Sequence, residues 1–106
     1  MSDFYCDEVF SGRANVNFRH EDDVVVAFDH TQPAYELAHV VVVPRRHVRD
    51  LLSIDDRLLA AVMEVVRSQA QRLTSEFGAC RVITNLGDYQ DSKHLHWHVV
   101  SGDRLS

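Results

Sequence analysis

The chain has 106 residues, and 11 Lys and Arg against 16 Asp and Glu give a net charge of −5. This length predicts one domain with a modest core, and the acidic balance argues against nucleic acid or anionic membranes as partners, since both attract a positive field. Residues 1–8 are acidic without the apolar region of a signal peptide, no apolar run approaches a membrane span, and Cys6 and Cys80 make no disulfide framework, so a cytoplasmic protein with reduced thiols is expected.

Taken in order, residues 1–12 read as irregular or a short helical turn ending near Gly12. Arg13 to His20 alternates loosely, with Ala14, Val16 and Phe18 on one side, and predicts a strand. Glu21-Asp22-Asp23 is a turn, and Val24 to Phe28 is a second, β-branched strand that closes a hairpin. Asp29 to Leu37 is a loop, broken by Pro33, which has no backbone donor. Ala38 to Val43 is almost wholly apolar, as expected of a central strand buried on both faces, and Pro44 ends it. His39 shares a strand face with Val41 and Val43, where it is either a satisfied core histidine or part of a site.

Ser53 to Phe77 is the one long helix. Ser53 is the expected N-cap, with Asp55 and Asp56 in the first turn. Leu59, Val62, Met63, Val66, Ala70, Leu73 and Phe77 form its apolar stripe, and Gly78 supplies the stop. Arg81 to Asn85 is the next strand, and Gly87 to Lys93 is a polar loop leading into the last strand, His94 to Val100. The order hairpin, strand, helix, strand, loop, strand predicts an α+β domain, a mostly antiparallel sheet with the helix on one face.

The last strand carries the chemistry. In His94-Leu95-His96-Trp97-His98-Val99-Val100, a period of two puts three histidines on one face and Leu95, Trp97 and Val99 on the other. Same-face neighbours lie roughly 6.5–7 Å apart. Three imidazoles at that spacing can attack, coordinate or hydrogen-bond one polyanionic ligand, because neutral imidazole is both a nucleophile and a metal ligand. A plain metal site is the rival to a catalytic one.

This segment resembles the signature of the histidine-triad family of nucleotide-binding hydrolases and transferases. Val40 to His47 resembles the family's strand followed by Pro, two basic residues and His. Thr84-Asn85-Leu86-Gly87 resembles its Asn-x-Gly turn, and Gln90 stands four residues before the first triad His, as in the family. The resemblance implies a five-stranded sheet with one long helix, and a homodimer whose sheets join. It implies hydrolysis at the α-phosphate of a nucleoside phosphoramidate or dinucleoside polyphosphate, through a covalent nucleotidyl-histidine on His96, with no metal needed for chemistry.

His98 and His39 would then contact phosphate oxygens or the leaving group, His94 would support the attacking ring or bind metal, and Gln90 would touch the phosphate or the leaving group. Asn85 either orients ribose or phosphate or caps its own turn, and Phe28 either flanks a base or packs in the core. The sequence departs from the family at two places. Asp91 stands where a Ser often donates to the leaving group, with Ser92 one residue later, and Asp91 is expected to face away. His30 stands where an acidic residue often binds the ribose. A structural zinc on Cys6, His47 and His94, with Asp3 in place of a first Cys, is a further implication. The alternative to an enzyme is a protein that binds a nucleotide or a metal on the triad face without turnover.

Overall fold

The computed structural model describes Tyr5, Val9 and residues 15–105. Among these, five strands form one sheet: β1 (Phe18–Glu21), β2 (Val25–Asp29), β3 (Ala38–Pro44), β4 (Arg81–Ile83) and β5 (Trp97–Ser101), in the spatial order β1-β2-β3-β5-β4. Every neighbouring pair is antiparallel. One helix, α1 (Asp56–Phe77), packs on one face. The expected α+β architecture is therefore the observed one, with β3 central as its continuous apolar run requires. No helix of the described residues is long and apolar enough to cross a membrane.

Alternation divides the sheet into two faces. Val25, Ala27, Val40, Val42, Trp97 and Val99 pack against Val62, Val65, Val66 and Leu73 of α1. On the opposite face, Val26, Phe28, Val41 and Val43 form a smaller cluster with Tyr5 and Val9. The register sets Phe28 opposite Val41 and Val41 opposite His98, so this second cluster is continuous with the triad face.

Several boundaries differ from the sequence expectation, each for a local reason. The described part of the first strand starts at Phe18, and its end takes in Glu21; residues 13–14 lie outside the described residues. The helix starts three residues late. Asp55, not Ser53, is the N-cap and accepts from the Leu58 amide, because the Ser53 hydroxyl is spent on the Asp50 carboxylate at 3.0 Å. At the other end Gly78, at φ 87°, takes the left-handed conformation and donates its N–H to the Thr74 carbonyl. The helix buries Val65 and Gln69 beyond the expected stripe, and Gln69 is satisfied by accepting from the Arg72 guanidinium. β4 stops at Ile83, short of Asn85, and a turn of 3-10 helix (Gly87–Tyr89) follows it.

The largest correction concerns the triad. The ladder of β5 begins only at Trp97, so His94 and His96 precede it. Residues 94–95 run instead beside the segment after β3: the Leu95 amide donates to the Val48 carbonyl, and His94 Nε2 to that of Pro44. The inside-outside alternation nonetheless holds, with Leu95 buried on the helix face.

Candidate active site

The triad is built on a buried floor. His94 and His96 are 1% and 4% exposed, and His98 is half-buried. Tyr5 packs its ring against both His94 and His96, at centroid distances of 5.4 and 5.5 Å. His96 and His98 meet edge to face at 4.9 Å. Across the register, His39 of β3 reaches His98, its Nε2 lying 2.8 Å from His98 Nδ1. His30, at the end of β2, lies over His39 with ring centroids 4.5 Å apart.

Burial decides the charge on these rings. Desolvation pushes His39 and His98 down to about 4, helped by the neighbouring imidazoles; Asp91 opposes the shift at His98. Burial lowers His96 and His30 as well, again against Asp91. At neutral pH all four are uncharged, so each ring carries one proton and one lone pair.

The hydrogen bonds then decide which nitrogen holds the proton. The Ala34 amide donates to His39 Nδ1 at 2.9 Å, so the His39 proton is on Nε2. That Nε2–H donates to His98 Nδ1, which places the His98 proton on Nε2. The carbonyl of His94 can only accept, so His96 Nδ1, 2.8 Å from it, carries the proton and Nε2 carries the lone pair. A backbone amide and a backbone carbonyl thereby leave one ring, His98, with an N–H at Nε2 and its neighbour, His96, with a lone pair there.

Asp91 faces this site, contrary to the expectation that it turns away. Its carboxylate oxygen lies 3.5 Å from His96 Nε2, while its side chain is 86% exposed. The loop that carries it is fixed from behind. Gln90 is 5% exposed and donates its amide to the Arg49 carbonyl, so it anchors the loop. Lys93 Nζ donates to the carbonyls of Gly87 and Gln90. Gly87 turns the chain at φ 64°. Ser92 lines the cleft beside Asp91, its hydroxyl within 3.4 Å of the His94 amide.

The other expected site residues fall into place as follows. Phe28 is both core and cleft wall, 2% exposed yet lining a cavity of about 420 Å³ together with Tyr5, Val41, His30, Asp91 and Ser92. Asn85 and His98 line an adjoining cavity of about 580 Å³. His30 cannot act as a two-fold acceptor: its Nδ1 already accepts from the Gln32 amide, which leaves an Nε2–H donor. The carboxylate one residue earlier, Asp29, is held by both Arg19 and Asn17. Of the expected zinc ligands, His47 and His94 have ring centroids 4.9 Å apart, and Cys6 and Asp3 lie outside the described residues. Among the described residues no three His, Cys, Asp or Glu form a metal cluster. Arg104, Tyr35 and Tyr89, which line the larger cavity, were not singled out by sequence reasoning.

Comparison with known proteins agrees with this geometry. The HIT domain family model matches residues 12–105. An uncharacterized HIT-like protein of Borreliella burgdorferi is 31% identical over 87 residues, which cover 76% of this chain and 62% of that one; the chain thus spans less than two thirds of that relative. A histidine triad protein from Clostridium difficile superposes with a TM-score of 0.79 at 30% identity, covering 100% of this chain and 95% of that one. A Zn-bound histidine triad family protein from Mycobacterium smegmatis superposes with a TM-score of 0.85 at 23% identity, covering 100% and 84%. With the family model spanning nearly the whole chain and the three histidines set on one face, the chain belongs to the HIT domain family.

Proposed function

We propose that this protein hydrolyses nucleotides at the α-phosphate, with His96 Nε2 as the attacking atom. The observation that carries the reading is the hydrogen bond between His96 Nδ1 and the His94 carbonyl, which leaves the lone pair on the nitrogen that opens on the cleft at Asp91. Substrates of the class are nucleoside phosphoramidates and dinucleoside polyphosphates.

The first step forms a bond from Nε2 to phosphorus and breaks the bond from phosphorus to the leaving nitrogen or oxygen, which takes up a proton from solvent. The imidazolium gains stability from the His94 carbonyl on its Nδ1–H. The phosphoryl oxygens need donors as the transition state forms. His98 Nε2–H, fixed in that tautomer through His39, is one such donor. Water then attacks phosphorus, the bond to Nε2 breaks, one proton goes to solvent, and the nucleoside monophosphate leaves. None of these steps requires a metal ion at phosphorus.

A binding protein without turnover is the second reading, and the Asp91 carboxylate beside Nε2 is the observation that favours it. The two separate cleanly. Adenosine 5′-phosphoramidate should be converted to AMP, and rapid quenching should yield a nucleotide attached to His96 by mass spectrometry. Absence of both, with the nucleotide bound, would sink the hydrolase. Any zinc at His47 and His94 would be structural, so chelation should lower the unfolding temperature and leave hydrolysis running. A homodimer through the sheet edge at β4, where Val82 is 48% exposed, completes the proposal and is measured by sedimentation.

A further inference from the structure

The loop between β2 and β3 hangs between two sets of partners. Toward the triad its amides are spent on imidazoles: Gln32 donates to His30 Nδ1 and Ala34 to His39 Nδ1, each at 2.9 Å. Away from the triad its partners are the residues that follow β5. The Leu37 amide donates to the Ser101 carbonyl at 3.2 Å, the Glu36 amide to the Asp103 carbonyl at 3.1 Å, and the Leu105 amide to the Ala34 carbonyl at 2.7 Å. The Asp103 amide donates back to the Glu36 carboxylate at 3.1 Å, and Tyr35 bridges Arg104. The antiparallel pairing of β3 with β5 is thus carried past the strands and along the loop.

This clasp does little for the core. Glu36, Leu37 and residues 103–105 are exposed, so little apolar surface is buried by it. The chain nevertheless turns into it through a demanding position. Gly102 has φ 88°, and a Cβ there would lie 2.5 Å from Glu36 Cγ and 3.0 Å from the Leu37 amide nitrogen. That nitrogen is the one that donates to Ser101, so a side chain at 102 pushes on the first bond of the clasp.

We propose that residues 102–105 are a positioning segment for the triad: they hold the Ala34 amide on His39 and, through His39, keep the His98 proton on Nε2. The proposal rests on the reading of His98 as a donor to the phosphoryl oxygens. Ala34 is gripped at both of its polar groups, the N–H by His39 and the carbonyl by Leu105. Pro33 before it has no amide hydrogen to offer instead. With the Ala34 amide withdrawn, His39 can carry its proton on Nδ1 and present a lone pair at Nε2. His98 then donates from Nδ1 and holds a lone pair at its own Nε2. Each ring keeps one proton, but a phosphoryl oxygen at His98 meets a lone pair where a donor stood. That donor is needed most as the transition state forms, so the loss falls on kcat.

Three variants test this. Gly102→Ala sets a Cβ into the clasp, Leu105→Pro removes the hydrogen that holds the Ala34 carbonyl, and Leu105→Ala keeps that hydrogen. Long-range proton–nitrogen NMR of the histidine rings, without substrate, reads which nitrogen carries each proton. In the wild type the His98 proton should be on Nε2. In Gly102→Ala and Leu105→Pro the ratio of that tautomer to the other should fall on the order of tenfold, and Leu105→Ala should retain it. A merely structural role would lower the unfolding temperature and leave the tautomers in place. Gly102 adjoins β5 and its variant can fail to fold; the Leu105 pair, in exposed chain, then decides. An unchanged His98 in folded Leu105→Pro, or an equal change in Leu105→Ala, overturns the proposal.

Turnover of adenosine 5′-phosphoramidate is the second readout. In Leu105→Pro kcat should fall on the order of tenfold with KM nearly unaltered, and Leu105→Ala should recover most of it. Displaced tautomers with kcat intact would overturn the positioning role. No turnover by the wild type would discard the hydrolase, and the ring spectra would still decide whether the segment fixes the tautomers.

Discussion

The two faces of the sheet are made from alternate residues of the same strands and are held by different physics. On the helix face, Leu95, Trp97 and Val99 are packed by van der Waals contact and water exclusion, which are non-directional. On the other face, His94 and His96 are buried and His98 half-buried, and all three are held by hydrogen bonds with fixed partners. A core side chain there can be exchanged for another of like volume. A histidine whose two nitrogens have assigned roles cannot. Stability should thus be concentrated on one face and chemistry on the other, and substitutions can break or sharpen that division.

The largest effect is expected for His96→Asn. Turnover should fall on the order of 10⁴-fold or more, because nothing replaces the attacking atom, while nucleotide affinity stays within roughly tenfold. Steady-state rates and calorimetry check this; unimpaired turnover would exclude His96 as nucleophile. The mirror experiment is Leu73→Ala on the helix face, where the side chain is fully buried. It should cost about 2–5 kcal/mol in urea denaturation and leave the rate per folded molecule nearly unaltered. A large loss of kcat there would show that the faces are coupled.

A smaller effect is expected at His39. His39→Leu removes the donor that sets the His98 tautomer, and kcat should drop on the order of tenfold. His39→Gln, which keeps an amide donor and an acceptor, should recover part of it. If Leu and Gln behave alike, the relay has no role in the rate.

Titration gives the mildest test. In the unfolded chain His39 and His98 bind protons near 6.5, but in the folded chain only at about 4. Between these values the unfolded state holds more protons, so the stability gained at these rings is complete above pH 6.5 and is lost as pH falls toward 4. The acid limb of kcat/KM should also lie below 6.5, since burial lowers His96. Asp91→Asn should move that limb slightly further down, because the carboxylate opposes the effect of burial on His96 but is itself exposed. An acid limb above 6.5 would contradict the buried, neutral triad.

Much of the apolar face was legible because burial imprints a period. The alternation in residues 94–100 assigned every side chain to its correct face, even though the ladder covers only part of the segment. What carried no period was hidden. Asp91 lies in a loop whose direction is set by Gln90 on the Arg49 carbonyl, 41 residues away. Ser53 and Asp55 both look like helix caps, and only the position of Asp50 decides between them. Arg104 and Tyr35 did have a signal. Once His39 pairs with Val100, the same antiparallel register carried outward sets Tyr35 opposite Arg104.

The relay that begins at the Ala34 amide reaches two rings before it opens on the cleft. Its first link belongs to the peptide group, so almost any residue at position 34 would preserve it, and only proline, which lacks the hydrogen, would cut it. Two chains could therefore share all their histidines and differ in where a proton rests, through one imino acid in a loop. Nineteen of the twenty residue types keep this amide hydrogen, and only the last removes it.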